Sequence, residues 1–183
     1  MKKLIKIILL GIMCAISILY YLKYDSKQYY YGWDCAFCNK ALPYNLEPND
    51  YYDRSFTLMD DDGFELVGIG FKYRRSHFKI ENFLGYGYND TSIVAKVTDS
   101  VNNIKYLSSY ETGYKSEKGN PEISFEDMPE AKFQQVKEKY NWVDLDEEEL
   151  MKIRRYKTLS FIGAIISLLL LLWYLIRKRK VTH

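Results

Sequence analysis

Histidine and cysteine are scarce in this chain, and proline is nearly as scarce: two, three and four residues respectively. One histidine, His77, lies mid-sequence, and the other, His183, is the last residue. A structural zinc site needs four ligands, usually two cysteine pairs or a pair with histidines, and the chain holds one close pair, Cys35 and Cys38. Covalent haem needs a histidine directly after the second cysteine, where Asn39 stands. His77 is the only histidine in the middle of the chain to serve a serine or cysteine nucleophile as base, and none is credibly paired with it. The acidic turn "DDDG" at 60–63 does not make a calcium loop, because the first and twelfth ligand positions would fall on Leu58 and Ile69. No metal, cofactor or catalytic set is expected, and nothing singles out a pair among the 24 carboxylates.

Charge is missing from two long stretches. From Leu4 to Leu22 the only charged residue is Lys6, and from Leu159 to Ile176 there is none. A hydrocarbon core about 30 Å thick takes roughly 20 apolar residues to cross, and lipid forces each such segment to satisfy its own backbone as a helix. A core helix of a soluble protein would carry a polar stripe; "IGAIISLLLLLWYLI" has none. Lys2 and Lys3 before the first run also suit a signal peptide. The residues just after the run, Leu19 to Leu22, are not small enough for cleavage, so an uncleaved anchor is expected. The chain then divides into a tail at 1–3, a span at 4–22, a central segment at 23–158, a span at 159–176 and a basic tail at 177–183.

Residues 24–157 hold 18 basic against all 24 acidic residues, a net charge of −6, which excludes nucleic acid as the expected partner. Basic flanks prefer the cytoplasm. Lys2, Lys3, Lys6 and Arg177 to Lys180 narrowly outnumber Lys23, Lys27, Lys152, Arg154, Arg155 and Lys157. Long loops translocate largely regardless of charge, and moving "RKRK" outward would oppose a membrane potential by roughly 2.3 kcal/mol per charge per 100 mV. Both termini are therefore expected in the cytoplasm, with the centre extracytoplasmic, in a periplasm or at a bacterial-type cell surface. Tyr20, Tyr21 and Tyr24 at one level, and Trp173 and Tyr174 at the other, fit the two interfaces.

The expected fold is α+β: two transmembrane helices flanking an antiparallel β-meander covered by one helix. Residues 24–53, with Pro43 and Pro48, read as irregular. Strands occupy about 55–110. "SFTLM" and "FELVGIGFKY" form a hairpin across "DDDG", followed by "HFKIENF", "TSIVAKVT" and "NIKYLSSY", with "GYGYND" separating two of them. A helix at about 129–140, capped by Asp127 with Pro129 in its first turn, places Phe133, Val136 and Tyr140 on one face. A last helix starts at about 146 and runs unbroken into the second span.

Thiol–disulfide exchange at Cys35 and Cys38 would need a helix N-terminus after a strand to lower the thiol pKa, and Pro43 and Pro48 leave room for little more than a turn. A disulfide stapling a membrane-side loop is the favoured reading, in an oxidising compartment. Lys72, Arg74, Arg75, His77 and Lys79 form a basic patch that could dock an anionic group or acidic partner, or merely keep an edge strand soluble. Tyr86 and Tyr88 could belong to a partner surface or to ordinary sheet. Gly11 with Ala15, and Gly163 with Ser167, have the small-residue spacing of close helix packing. Taken together, these features point to a membrane-anchored, non-enzymatic binding or accessory protein with the bilayer and an envelope protein as its partners. A tethered thiol oxidoreductase is the alternative.

Overall fold

The computed structural model describes residues 2–38, 42–51, 55–70, 78–115 and 119–179. Its helices are α1 (Lys2–Tyr29), α2 (Glu130–Val136) and α3 (Glu147–Arg179). Its strands are β1 (Glu47–Tyr51), β2 (Ser55–Met59), β3 (Glu65–Gly68), β4 (Asn82–Tyr88), β5 (Ile93–Thr98), β6 (Ile104–Lys115), β7 (Pro121–Met128) and β8 (Asn141–Asp144). The chain divides into two compact units, one of residues 1–28, 35–38 and 148–183, the other of residues 29–34 and 39–147.

In the helical unit, both long helices are apolar enough to cross a membrane, over Leu4–Tyr29 and Glu147–Ile176. The more covered positions of α1 include Ile7, Leu10, Cys14, Ser17, Tyr21, Tyr24 and Gln28; those of α3 include Ile153, Lys157, Ser160, Ala164, Ser167, Leu171 and Tyr174. Steps alternating between three and four residues make a seam of period 3.5, the pattern that packs helices at a shallow left-handed angle. The seam runs antiparallel. Cys14 Sγ donates to the Ala164 carbonyl at 3.9 Å, Tyr21 meets Phe161 with ring centroids 5.8 Å apart, and Tyr24 stacks on Tyr156 at 5.4 Å. The residues at its centre are small, which lets two backbones approach closely. Outside the seam, α1 and α3 expose isoleucines and leucines along their length.

The β unit is built in layers. Strands β1, β2 and β3 form an antiparallel sheet in that order; the second sheet runs β7-β6-β5-β4-β8, also antiparallel. Alternation in β5 sends Ile93, Ala95 and Val97 to one face, where they join Leu58 and Val67 of the small sheet with Phe56, Phe83, Tyr86, Leu107 and Phe125 in the main core. The opposite face carries Val94, Tyr106 and Met128, covered by Phe133 of α2, whose ring stacks on Tyr106 with centroids 3.7 Å apart. The β2–β3 turn is held by Asp60, whose Oδ1 accepts the Asp62 and Phe64 N–H groups, as an Asx turn requires.

Several expectations need correction. A single meander at 55–110 is replaced by two sheets, and three strands lie outside that range. Residues 47–51, read as irregular, form β1, with Pro48 on an edge strand where a missing N–H is tolerated. "PEISFEDM" is β7 and "NWVD" is β8. "GYGY" lies inside β4 rather than between strands. A Cβ on Gly85 would come within 2.6 Å of the Val143 carbonyl oxygen, and one on Gly87 within 2.8 Å of the Trp142 ring, so these glycines leave room for β8 to pair alongside β4. Asp127 lies within β7; α2 begins after Pro129 without a side-chain cap and gives way to a 3-10 turn at Lys137–Lys139.

Candidate functional site

The polar feature that stands apart from both cores lies in the helical unit. Asp25 is on α1, one turn past the end of the Leu4–Leu22 apolar run, and its side chain is fully buried. Its Oδ2 accepts two successive backbone N–H groups, from Ala36 at 2.9 Å and Phe37 at 3.0 Å. Its Oδ1 lies 2.6 Å from Lys157 Nζ of α3, an ion pair. Lys157 Nζ also stands 5.4 Å from the centroid of the Tyr21 ring. One carboxylate thus joins α1, α3 and the segment between Cys35 and Cys38, whose sulfurs are within disulfide-bonding distance. Burying a charge is costly unless it is paired and hydrogen-bonded, and here both conditions hold.

This arrangement bears on cysteine chemistry. A reactive Cys-x-x-Cys stabilises its thiolate with amides at a helix N-terminus or with nearby cations. Residues 35–38 are not helical, and the two intervening amides point at a carboxylate instead. Asp25 adds a negative charge where a thiolate would need a positive one. The geometry suits a fixed loop, and the side chain it offers outward is Phe37, 69 % exposed.

The remaining sequence candidates are scattered. Lys72, Arg74, Arg75 and His77 lie outside the described residues; Lys79 is exposed. Tyr86 is wholly buried, which corrects its reading as a partner surface, and its hydroxyl donates to the Tyr30 carbonyl at 2.8 Å. Burial pushes the Tyr86 phenol well above its ordinary range, with Tyr29 adding to the effect. Tyr88 is partly covered and stacks on Tyr30 at 5.3 Å. Of the small residues in the spans, a Cβ on Gly163 would stand 3.1 Å from Ser17 Oγ, and Ser167 is buried. Gly11 has nothing within 4 Å of such a Cβ and Ala15 is exposed, so Cys14 and Ser17 hold the seam where that pair was expected. In the β unit a cleft of about 300 Å³ is lined by Tyr29, Leu46, Glu47, Asp61 and Asn120 among others. No group of three or more potential metal ligands is assembled among the described residues.

Sequence reasoning missed Asp25 and used Lys157 only as a flanking charge. The available signal was position. Both are charged residues within one turn of an apolar run, and each falls on or beside the seam of its helix.

No family model, no curated protein and no solved structure matches this chain.

Proposed function

We propose that the chain is a two-pass membrane protein that holds its β unit outside the cytoplasm, where that unit serves as a binding or accessory module for an envelope protein. Both termini then lie in the cytoplasm. The partner is a subunit of a membrane complex, or an incoming toxin that the β unit neutralises. The single observation that carries the reading is the pairing of two apolar helices with a disulfide loop clamped at one end. None of the eighteen-residue apolar window of α1 is buried, and only 6 % of that of α3. A soluble core helix would be mostly covered, and an apolar surface of this extent in water would favour aggregation. The disulfide in turn favours an oxidising compartment.

Asp25 supports the non-enzymatic side of the reading, since a carboxylate beside the pair works against thiolate formation. In-membrane crosslinking followed by purification under several mild detergents tests the function. Recovery of one defined partner in stoichiometric amount is expected, and recovery of the chain alone throughout would refute it.

A further inference from the structure

We propose that the Cys35–Cys38 loop is a lipid-binding element that seats Phe37 in the interfacial layer of the bilayer. The proposal rests on the membrane-spanning reading of α1 and α3. Three observations support it, all within the helical unit.

The first is depth. Asp25 lies three residues past Leu22, and Lys157 two residues before Leu159, which at 1.5 Å per residue is about 4.5 Å and 3 Å beyond the apolar runs. The polar layer on each side of a bilayer is about 5–7 Å thick. The Ala36 and Phe37 amides bonded to Asp25 therefore hold the loop backbone inside that layer.

The second is company. The same level and the turn beneath it carry an aromatic girdle: Tyr24 stacks on Tyr156 at that level, and one turn deeper Tyr20 stacks near Tyr24 and Phe161 packs beside Tyr21. Tyr20, Tyr156 and Phe161 are each about half exposed. Rings gathered at this depth are the usual occupants of a membrane–water interface.

The third is presentation. Phe37 is 69 % exposed although its own N–H is tied down and a cysteine bond flanks it on both sides. An apolar ring held outward on a short clamped loop has little freedom to fold away from water. Lipid is the occupant that fits, because the same unit exposes the apolar flanks of both spans, with Leu19 65 % exposed. Phe37 gives the chain a third point of contact with the bilayer besides its two helices, held there by the disulfide and by Asp25.

The test encodes a photoreactive p-benzoylphenylalanine in place of Phe37, Trp173 or Phe64 in the full-length chain, followed by irradiation in native membranes and peptide mass analysis. The expected result is a phospholipid-mass adduct at position 37 and at position 173, and none at position 64 of the β2–β3 turn. A lipid adduct at 173 with none at 37, or with protein crosslinks alone at 37, overturns the proposal. Absence of lipid at both 37 and 173 overturns the membrane reading beneath it. The unsubstituted chain in nanodiscs gives a second readout. The Phe37 ring signals should be broadened by spin-labelled lipid and shielded from a water-soluble gadolinium chelate, and the reverse pattern overturns the proposal.

Discussion

Lys157 Nζ stands 2.6 Å from the Oδ1 of Asp25, and this ion pair ties α3 to the same carboxylate that holds the disulfide loop. Replacing one member leaves the other unmatched in a poorly solvated place. Asp25→Ala and Lys157→Ala should each destabilise the helical unit by about 3 kcal/mol, the low end for a broken buried pair, because Lys157 retains some exposure. The double variant should cost less than the two single losses added together. Unfolding titrations in mixed micelles measure all three, and strict additivity would show that the two side chains act independently.

The Cys35–Cys38 bond closes a ring of four residues, so chain entropy gives it only about 2 kcal/mol. Cys35→Ser combined with Cys38→Ser should lower the unfolding free energy of the helical unit by that amount. Hydrogen exchange in β5 and β6, which belong to the other unit, should stay unchanged. Loss of protection throughout the β sheets would contradict this division.

Gly85 leaves no space for a side chain where β8 pairs with β4. Gly85→Ala drives a Cβ against backbone, which cannot rotate away, and should cost about 1–3 kcal/mol as overpacking. The near-ultraviolet signal of Trp142 on β8 should change with it. An unaltered signal and unaltered stability would show that β8 pairs elsewhere.

Asp99 closes the β5–β6 turn: its Oδ1 accepts the Val101 and Asn103 N–H groups at 3.0 and 2.9 Å. Burial works to raise its carboxyl pKa, but the Asn103 and Val101 amides, the Asn103 side chain and Lys105 outweigh it, and the net shift is downward. A depressed folded pKa means that the unfolded chain binds the proton more readily. The stabilisation is therefore complete above about pH 4, the ordinary carboxyl range, and is lost as the pH falls through the lower folded value. The protection of the Val101 and Asn103 amides, measured against their intrinsic exchange rates at each pH, should fall only in that acid window. A fall in protection already near neutrality would contradict the assignment.

The elements that sequence reading found were those whose pattern is local. Two apolar runs, one with a single lysine and one with no charge, located both long helices, the segment "TSIVAKVT" located β5, and Phe133 marked the face of α2 that covers the sheet. What it missed depends on distant partners. β8 is four residues with no apolar alternation, and it exists because Gly85 and Gly87 open the edge of β4 to it. "GYGY" looked like a turn because glycine is read as a local breaker, whereas here it makes room for a neighbouring strand. At the candidate site, the cysteine pair was legible from spacing alone. The Asp25–Lys157 pair was not, because it forms only when α1 and α3 lie antiparallel and bring both charges to one end of the seam.

The account depends most on which side of a membrane the β unit occupies. Ser100 is exposed in the β5–β6 turn, and Ser100→Cys offers a thiol there to a maleimide that cannot cross membranes. Labelling in intact cells, equal to that after lysis, is the result the account predicts. A thiol silent in intact cells and labelled only once they are broken would place the unit in the cytoplasm and contradict it.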